Sequence, residues 1–187
     1  TGIFFGSNNL YPYRSTGLND ATIDLGQSGK RFKDAYLSGG VYLGGTGSAN
    51  KLDDYEEGTW TPAFGSADGI TPTGNFTTAG YYTKVGRQVN ITGFMKVDSG
   101  LSRGSGTLTI IGLPFNSRTN SGEYSTGAFT ASIFNTVRQD HIAITIYDNT
   151  KLAFLSSYDN VGWAWETTNA LNTNCELRFN ITYYTNS

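Results

Sequence analysis

Apolar and polar residues alternate with a period of two along several stretches of the chain, and this pattern limits the fold more than any other feature. Residues 89–97, 141–147 and 176–183 all show it. Side chains of an extended strand point alternately to its two faces, so each stretch predicts a strand with one buried face. No stretch of residues 63–187 shows the helical period of 3.6, and we therefore predict an all-β protein.

Turn-forming residues separate these stretches. The chain contains 24 Gly among 187 residues, which is about twice the usual share. Gly86-Arg87-Gln88 lies between two strand-like segments and predicts a hairpin, and Asp148-Asn149-Thr150 predicts a second turn. The near-regular spacing of short strands over residues 63–187 predicts an antiparallel β-sandwich.

The chain divides into three parts. Residues 1–50 contain brief alternating runs, such as residues 21–25, between Gly-rich turns, so we expect very short strands there and one helical turn at 31–37. Such a segment buries too little surface to offset an ordering entropy of about 1–2 kcal/mol per residue. We expect it to intertwine with copies of itself or to dock on the rest of the chain. Residues 51–62 read as an acidic junction, and residues 63–187 as the head domain.

Charge and hydropathy exclude two kinds of partner. The formal net charge is -2 and charged residues make up only 15% of the chain, so nothing attracts it broadly to nucleic acid or to an anionic membrane surface. No run approaches the 18 or more apolar residues of a membrane helix, and we expect no membrane insertion.

Single copies of three residue types carry further information. Cys175 excludes an intrachain disulfide framework, and we interpret it as a small buried apolar residue because it opens an alternating run. His141 alone cannot build a histidine-based metal site, and we expect no cofactor. The only methionine is Met95, which leads us to expect that the chain is a piece of a longer protein.

Two stretches resemble a known family. Residues 25–45, LGQSGKRFKDAYLSGGVYLGG, are similar to the stalk-terminal repeat of tailed-bacteriophage tail fibres, and residues 52–62, LDDYEEGTWTP, resemble the junction that follows this repeat. Shorter stretches fit the head module of the same fibres, namely residues 80–86 (GYYTKVG), 111–115 (IGLPF) and 177–183 (LRFNITY).

The resemblance implies a homotrimeric, C-terminal segment of a virion tail fibre, attached to an upstream fibre or baseplate protein and carrying the receptor-binding tip. It implies a short intertwined β-rich stalk and a function in host adhesion. We expect the receptor to be a host surface glycan of the lipopolysaccharide or capsule type, bound with an affinity that three copies multiply.

Two alternatives remain open. The first is a structural trimerisation tip or virion decoration module that has no receptor of its own. The second is a polysaccharide-degrading tailspike domain. Glycosidases need two carboxyl groups about 5–10 Å apart, and the acids of the head lie in no motif that enforces such a spacing, so we predict no enzymatic activity.

The candidate glycan-binding residues are Tyr158, Asp159, Asn160, Trp163 and Trp165. Two Trp at i and i+2 point the same way if the chain is extended, which forms a flat apolar shelf beside an amide and a carboxylate. Sugars stack their C–H faces on aromatic rings while amides and carboxylates bind their hydroxyls. The alternative is that one or both indole rings pack into the sandwich or the trimer interface.

The junction carries four acids, which are Asp53, Asp54, Glu56 and Glu57. Clustered carboxylates are the ligands that Ca²⁺ prefers, and three-fold symmetry brings copies together on an axis. The simpler interpretation, which we adopt, is that these acids are solvated or pair with Lys30, Arg31 and Lys33. We therefore predict no metal site.

Overall fold

The computed structural model describes residues 2–18, 20–65, 69–118, 125–135, 141–158 and 161–186. Within these ranges the ordered elements are strands and two short 3-10 turns, at Ser48–Asn50 and Thr168–Ala170, with no α-helix. The prediction of an all-β protein is confirmed. In the same ranges, no helix has the length and apolar character needed to cross a membrane.

Contacts along the chain divide it into two compact units, Thr1–Gly39 and Gly40–Ser187, called the first and the second unit below. The division falls earlier than the predicted boundaries at 50 and 62. Its physical reason is that the acidic segment 51–62 contributes strands to the second unit and does not bridge two separate bodies.

The first unit contains one small antiparallel sheet. Its strands are β1 (Gly2–Phe5), β2 (Leu10–Arg14) and β3 (Gly17–Leu18), in the order β1-β2-β3. The expected strand at 21–25 is absent, because Ala21 has a φ of 52° that interrupts an extended backbone. The expected helical turn at 31–37 is also absent. Both sequence predictions were wrong, since three apolar residues without a packing partner do not fix a backbone conformation.

The second unit holds most of the strands. They are β4 (Val41–Tyr42), β5 (Lys51–Leu52), β6 (Tyr55–Trp60), β7 (Ala63–Phe64), β8 (Thr71–Pro72), β9 (Phe76–Val85), β10 (Gln88–Val97), β11 (Leu101–Ser102), β12 (Thr109–Ile111), β13 (Thr126–Phe134), β14 (His141–Tyr147), β15 (Lys151–Tyr158), β16 (Val161–Trp165) and β17 (Leu171–Tyr184). Ten of them form one large antiparallel sheet with the order β6-β9-β10-β17-β13-β14-β15-β12-β7, in which β16 also pairs with β15. Two small ladders, β4 with β5 and β8 with β11, complete the unit.

The two ends of the large sheet are neighbours in the chain. The sheet begins with β6 and ends with β7, and only Thr61 and Pro62 separate these strands. The sheet therefore curls until its edges meet. The Thr78 hydroxyl donates a hydrogen bond of 2.7 Å to the carbonyl of Pro62, and the Phe64 ring lies 5.4 Å from the Phe76 ring, so β9 contacts the same closing segment.

One hydrophobic core fills the inside of the curl. The alternation predicted for residues 89–97 is confirmed, because Val89, Ile91, Met95 and Val97 are buried. From the other half of the sheet, buried residues of β12, β14 and β15 join the same cluster. Phe129 of β13 links the halves, with its ring 4.8 Å from the buried ring of Phe154.

The predicted turns are present. β9 and β10 are joined by Gly86 and Arg87, with Gly86 at a φ of 56°. Asp148 and Asn149 adopt φ values of 51° and 53° between β14 and β15. Gly, Asn and Asp are the residues that tolerate this left-handed conformation, so the turn positions follow from local chemistry.

Candidate functional site

The two predicted tryptophans lie on β16, but their environments differ. Trp165 is opposite Leu155 on β15, is partly buried, and packs edge-to-face on Tyr147 with 4.9 Å between ring centroids. Trp163 is 61% exposed. The packing alternative therefore describes Trp165, whereas Trp163 remains accessible to a ligand.

A β-bulge interrupts β16 between Val161 and Ala164, in the interval that contains Trp163. Ala164 is opposite Ser156 and Val161 is opposite Tyr158, so three steps along β16 match two steps along β15. A bulge of this kind breaks the strict alternation of side chains. The predicted shelf of Trp163 and Trp165 requires an uninterrupted strand. Because the bulge shifts the register in β16, the sequence spacing alone no longer places the two indole rings on one face.

Asp159 and Asn160 lie outside the described residues. Tyr158 is the last residue of β15, where its backbone pairs with Val161. Among the predicted glycan ligands, Trp163 is thus the one that the structure places at the surface.

The acids of the junction have individual partners in the second unit. Lys51 pairs with Asp53 at 2.8 Å, and this hydrogen bond and the charge of Lys51 lower the pKa of the carboxyl. Asp54 forms an ion pair with Lys84, whose side chain is almost fully buried and lies 5.5 Å from the centre of the Phe115 ring. Asp53 and Asp54 thus each have a basic partner within the second unit.

Two tyrosines bind the remaining acids. The Tyr82 hydroxyl donates to Glu56, and the Tyr55 hydroxyl donates to Glu57 over 3.1 Å. Each carboxylate raises the pKa of its tyrosine through this hydrogen bond. No group of three or more possible metal ligands occurs among the described residues.

Cys175 is buried, as its position in an alternating run predicted. Burial raises the pKa of its thiol to about 11. The reactive species of a cysteine is the thiolate, so this thiol is suited to packing rather than to nucleophilic chemistry.

A groove of about 410 Å³ lies on the outer face of the large sheet, across β9, β10, β17 and β13. Two neighbouring rows of outward residues line it, and pairing between the strands fixes their order. One row is Ala79, Phe94, Arg178 and Thr130, and the other is Tyr81, Thr92, Asn180 and Ala128. Gly93, Phe129 and Phe179 complete the lining. We call this site the outer groove.

Small residues on the two outer strands explain why the outer face is concave here. Ala79 and Ala128 occupy the two outer strands of the groove, where larger side chains would fill it. Gly93 lies opposite Phe179, and a Cβ atom on Gly93 would come within 2.1 Å of that ring. Only glycine allows the Phe179 ring to lie against β10 at this point.

Aromatic and polar groups stand at the walls of the outer groove. Tyr81 is 63% exposed. The guanidinium of Arg178 lies over the Phe94 ring at 5.2 Å and pairs with Glu176 on the same strand. This arrangement combines a free aromatic face with preoriented hydrogen-bond donors, which is the combination that a polar ligand with apolar faces requires.

Sequence reasoning missed the outer groove because its walls come from four separate stretches. One signal was present: the tripeptide Asn-Ile-Thr occurs at 90–92 and again at 180–182. The two copies pair in antiparallel register, with Ile91 opposite Ile181. The repeat marks both central strands of the groove.

Comparisons of the chain with protein-family models, with curated proteins and with solved structures found no match in any of the three.

Proposed function

We propose that the chain is the C-terminal part of a trimeric bacteriophage tail fibre and that it mediates adhesion to a glycan of the host surface. In this proposal the first unit belongs to the end of the fibre stalk, and the curled sheet of the second unit is a sandwich-type head. The resemblance of residues 25–45 and 52–62 to fibre motifs supports this assignment.

The distribution of apolar side chains in the first unit is the observation that carries the proposal. No described residue before Trp60 is buried. The exposed large apolar residues of the first unit are Ile3, Phe4, Phe5, Leu10, Tyr13, Leu18, Leu25, Phe32, Tyr36 and Leu37. Monomeric soluble proteins keep their exposed apolar patches small, so ten exposed large apolar residues in one unit indicate that this unit needs a cover.

The small sheet of the first unit is apolar on both faces. On β1, Ile3 and Phe5 point to one side, whereas Phe4 points to the other, where its ring lies 6.4 Å from Tyr11 and 6.3 Å from Tyr13. A sheet with two apolar faces requires a layer on each side. Further copies of the same chain around an axis supply these layers.

The mass of the full chain in solution tests the assembly. We expect size-exclusion chromatography with light scattering to give three chains per particle. A variant with Ile3→Ser and Phe5→Ser removes apolar contacts without touching a buried residue, and we expect its mass to fall to that of one chain. A wild-type monomer at micromolar concentration would contradict the proposal.

Binding of the full chain to purified bacterial lipopolysaccharides and capsular polysaccharides tests the function. We expect saturable binding that weakens about 100-fold or more in the monomeric double variant, because linked copies raise the effective concentration of each other's sites. Trimers that bind none of these polymers would favour the structural trimerisation tip. Release of reducing ends during the incubation would instead indicate an enzyme.

A further inference from the structure

We propose that the outer groove binds a neutral pyranose ring of the host-surface glycan. The inference rests on the proposed function and deepens it by locating the site and the ligand class on the outer face of β9, β10, β17 and β13. It moves the centre of recognition away from the tryptophans of β16.

Two exposed hydrogen-bonding groups that lack a protein partner are available to a ligand in the groove. At one end of the paired Asn-Ile-Thr tripeptides, the Asn90 amide donates to the Thr182 hydroxyl at 2.9 Å. At the other end, Thr92 faces Asn180 across the same two strands. Within the described ranges, neither the Thr92 hydroxyl nor the Asn180 amide forms a hydrogen bond with the protein. These two free groups are the ones that line the groove.

The aromatic wall fits one face of a sugar ring. A pyranose carries axial C–H groups with partial positive charge, and the face of an aromatic ring is negative. Tyr81 offers such a face because it is 63% exposed and lies in the same cross-strand row as Thr92 and Asn180. A ring stacked on Tyr81 therefore brings its hydroxyls towards the free amide and hydroxyl.

The charge of the groove favours a neutral sugar over an acidic one. Arg178 is the cation of the lining, and Glu176 pairs with it two positions earlier on β17. The carboxylate offsets the positive charge that would otherwise attract a uronic acid. The guanidinium, which lies over Phe94, has further donors for sugar hydroxyls.

The same groups argue against a second copy of the chain as the occupant. A second copy laid over the groove would bury the Asn180 amide and the Thr92 hydroxyl, and it would have to present matching hydrogen-bond groups at both positions, since a buried polar group without a partner is unfavourable. A sugar has a hydroxyl on nearly every ring carbon and satisfies both groups. The volume of about 410 Å³ lies in the range of small-ligand sites.

Saturation-transfer NMR with the full chain tests the inference. The probes are the methyl glycosides of glucose, galactose and mannose, with methyl glucuronide as the charged comparison. For a ligand of this size we expect a Kd of about 1 mM. We expect at least one neutral glycoside to bind more tightly than the glucuronide.

Three variants locate the site. Tyr81→Ala removes the stacking face, and we expect the Kd to rise about tenfold. Ala128→Leu fills the groove without removing a polar group, and we expect binding to be lost. Trp163→Ala is the matched control, because Trp163 is exposed to nearly the same extent, at 61%, on β16. Its Kd should equal that of the wild type.

The outcomes separate this inference from the proposed function. Loss of sugar binding in Trp163→Ala with retention in Tyr81→Ala and Ala128→Leu would overturn the groove site and leave glycan adhesion intact. Groove variants that change the mass of the particle while wild-type sugar binding is absent would make the groove an interface between copies. Absence of signal for all four probes, while the full chain still binds a polysaccharide, would also overturn the groove proposal.

Discussion

Two phenylalanines summarise how the first and second units differ. Phe5 in the first unit is 74% exposed, whereas Phe154 in the second unit is completely buried. Both lie within runs of consecutive apolar residues on a strand, GIFF in β1 and LAFL in β15, so local pattern does not separate them. The difference is that β15 belongs to a sheet that curls over a common core, while β1 belongs to a three-stranded sheet with no layer against it. Local sequence therefore predicts a strand but does not say which chain supplies the other layer.

The largest expected effect comes from truncating one phenylalanine in each unit. Phe154→Ala removes a ring that packs on Phe129 and Phe134 inside the core, and we expect the free energy of unfolding of the second unit to fall by about 3–5 kcal/mol. Phe5→Ala is the matched change at an exposed site. We expect it to lower the mass of the assembly while the unfolding transition of the second unit, followed by denaturant titration, stays unchanged. If Phe5→Ala and Phe154→Ala destabilised the second unit equally, the proposed difference between the two units would be wrong.

Adding one methyl group to a glycine tests whether the second unit is tightly packed where the first unit is open. Gly93→Ala places a Cβ against the Phe179 ring, and overpacking of this kind costs about 1–3 kcal/mol. Gly29→Ala in the first unit has no neighbour within 4 Å of the new atom. We expect thermal unfolding to shift downward for the first variant and to stay constant for the second. A neutral Gly93→Ala would mean that the Phe179 ring moves aside.

Two adjacent acids of the second unit sharpen the comparison between buried and exposed partners. Asp54→Asn leaves the buried ammonium of Lys84 without its counter-charge, and we expect a loss of about 1–3 kcal/mol. Asp53→Asn breaks an exposed pair with Lys51, and we expect a much smaller loss at neutral pH. Chemical denaturation of the two variants compares them directly. An equal loss in both would show that burial of Lys84 is unimportant.

The Asp53 pair also gives a pH dependence with a defined sign. The Asp53 pKa is lower in the folded chain than in the unfolded chain, because Lys51 hydrogen-bonds to the carboxylate and attracts it. Its contribution is present above the unfolded pKa and is lost as the pH falls through the folded pKa. We expect wild type and Asp53→Asn to converge in stability under acid, with any difference appearing only above that range.

The smallest expected effect concerns chemical labelling of the single cysteine, Cys175. Cys175 is buried and its pKa is raised to about 11, so we expect an aromatic disulfide reagent at pH 8 to label it only after denaturation. Ser28→Cys places a thiol in the first unit at an exposed position, and we expect immediate labelling. Fast labelling of Cys175 in the native protein would indicate that the core opens readily.

The parts of the fold that were predictable depend on local chemistry. The β9–β10 hairpin, β14 and the alternating part of β17 follow from period-two patterns, and the Asp148-Asn149 turn follows from residues that accept a positive φ. The sheet order does not follow from such patterns. It depends on the closing segment at Thr61 and Pro62, which brings distant strands together. The bulge in β16 could not be predicted either, since no residue type at 161–163 specifies it.

The candidate site was also only partly predictable, because it depends on how distant strands pair. The sequence identified exposed Trp163 as an accessible aromatic, but it paired Trp163 with Trp165 on the assumption of a regular strand. The outer groove depends on the registers of three strand pairs, and its walls lie up to about one hundred residues apart in the chain. Only the repeated Asn-Ile-Thr tripeptide carried local information about it.

The position of β17 has a consequence for synthesis of the protein. Residues 171–184 pair with β10 on one side and with β13 on the other, so they form the middle of the sheet. A ribosome that has made the chain only as far as β16 has released two strands whose shared neighbour does not yet exist. Their unpaired edges and apolar faces stay open during that interval, which is the condition under which nascent chains associate wrongly. Slow translation ahead of residue 171 would lengthen this interval, and a chaperone that shields strand edges would act within it.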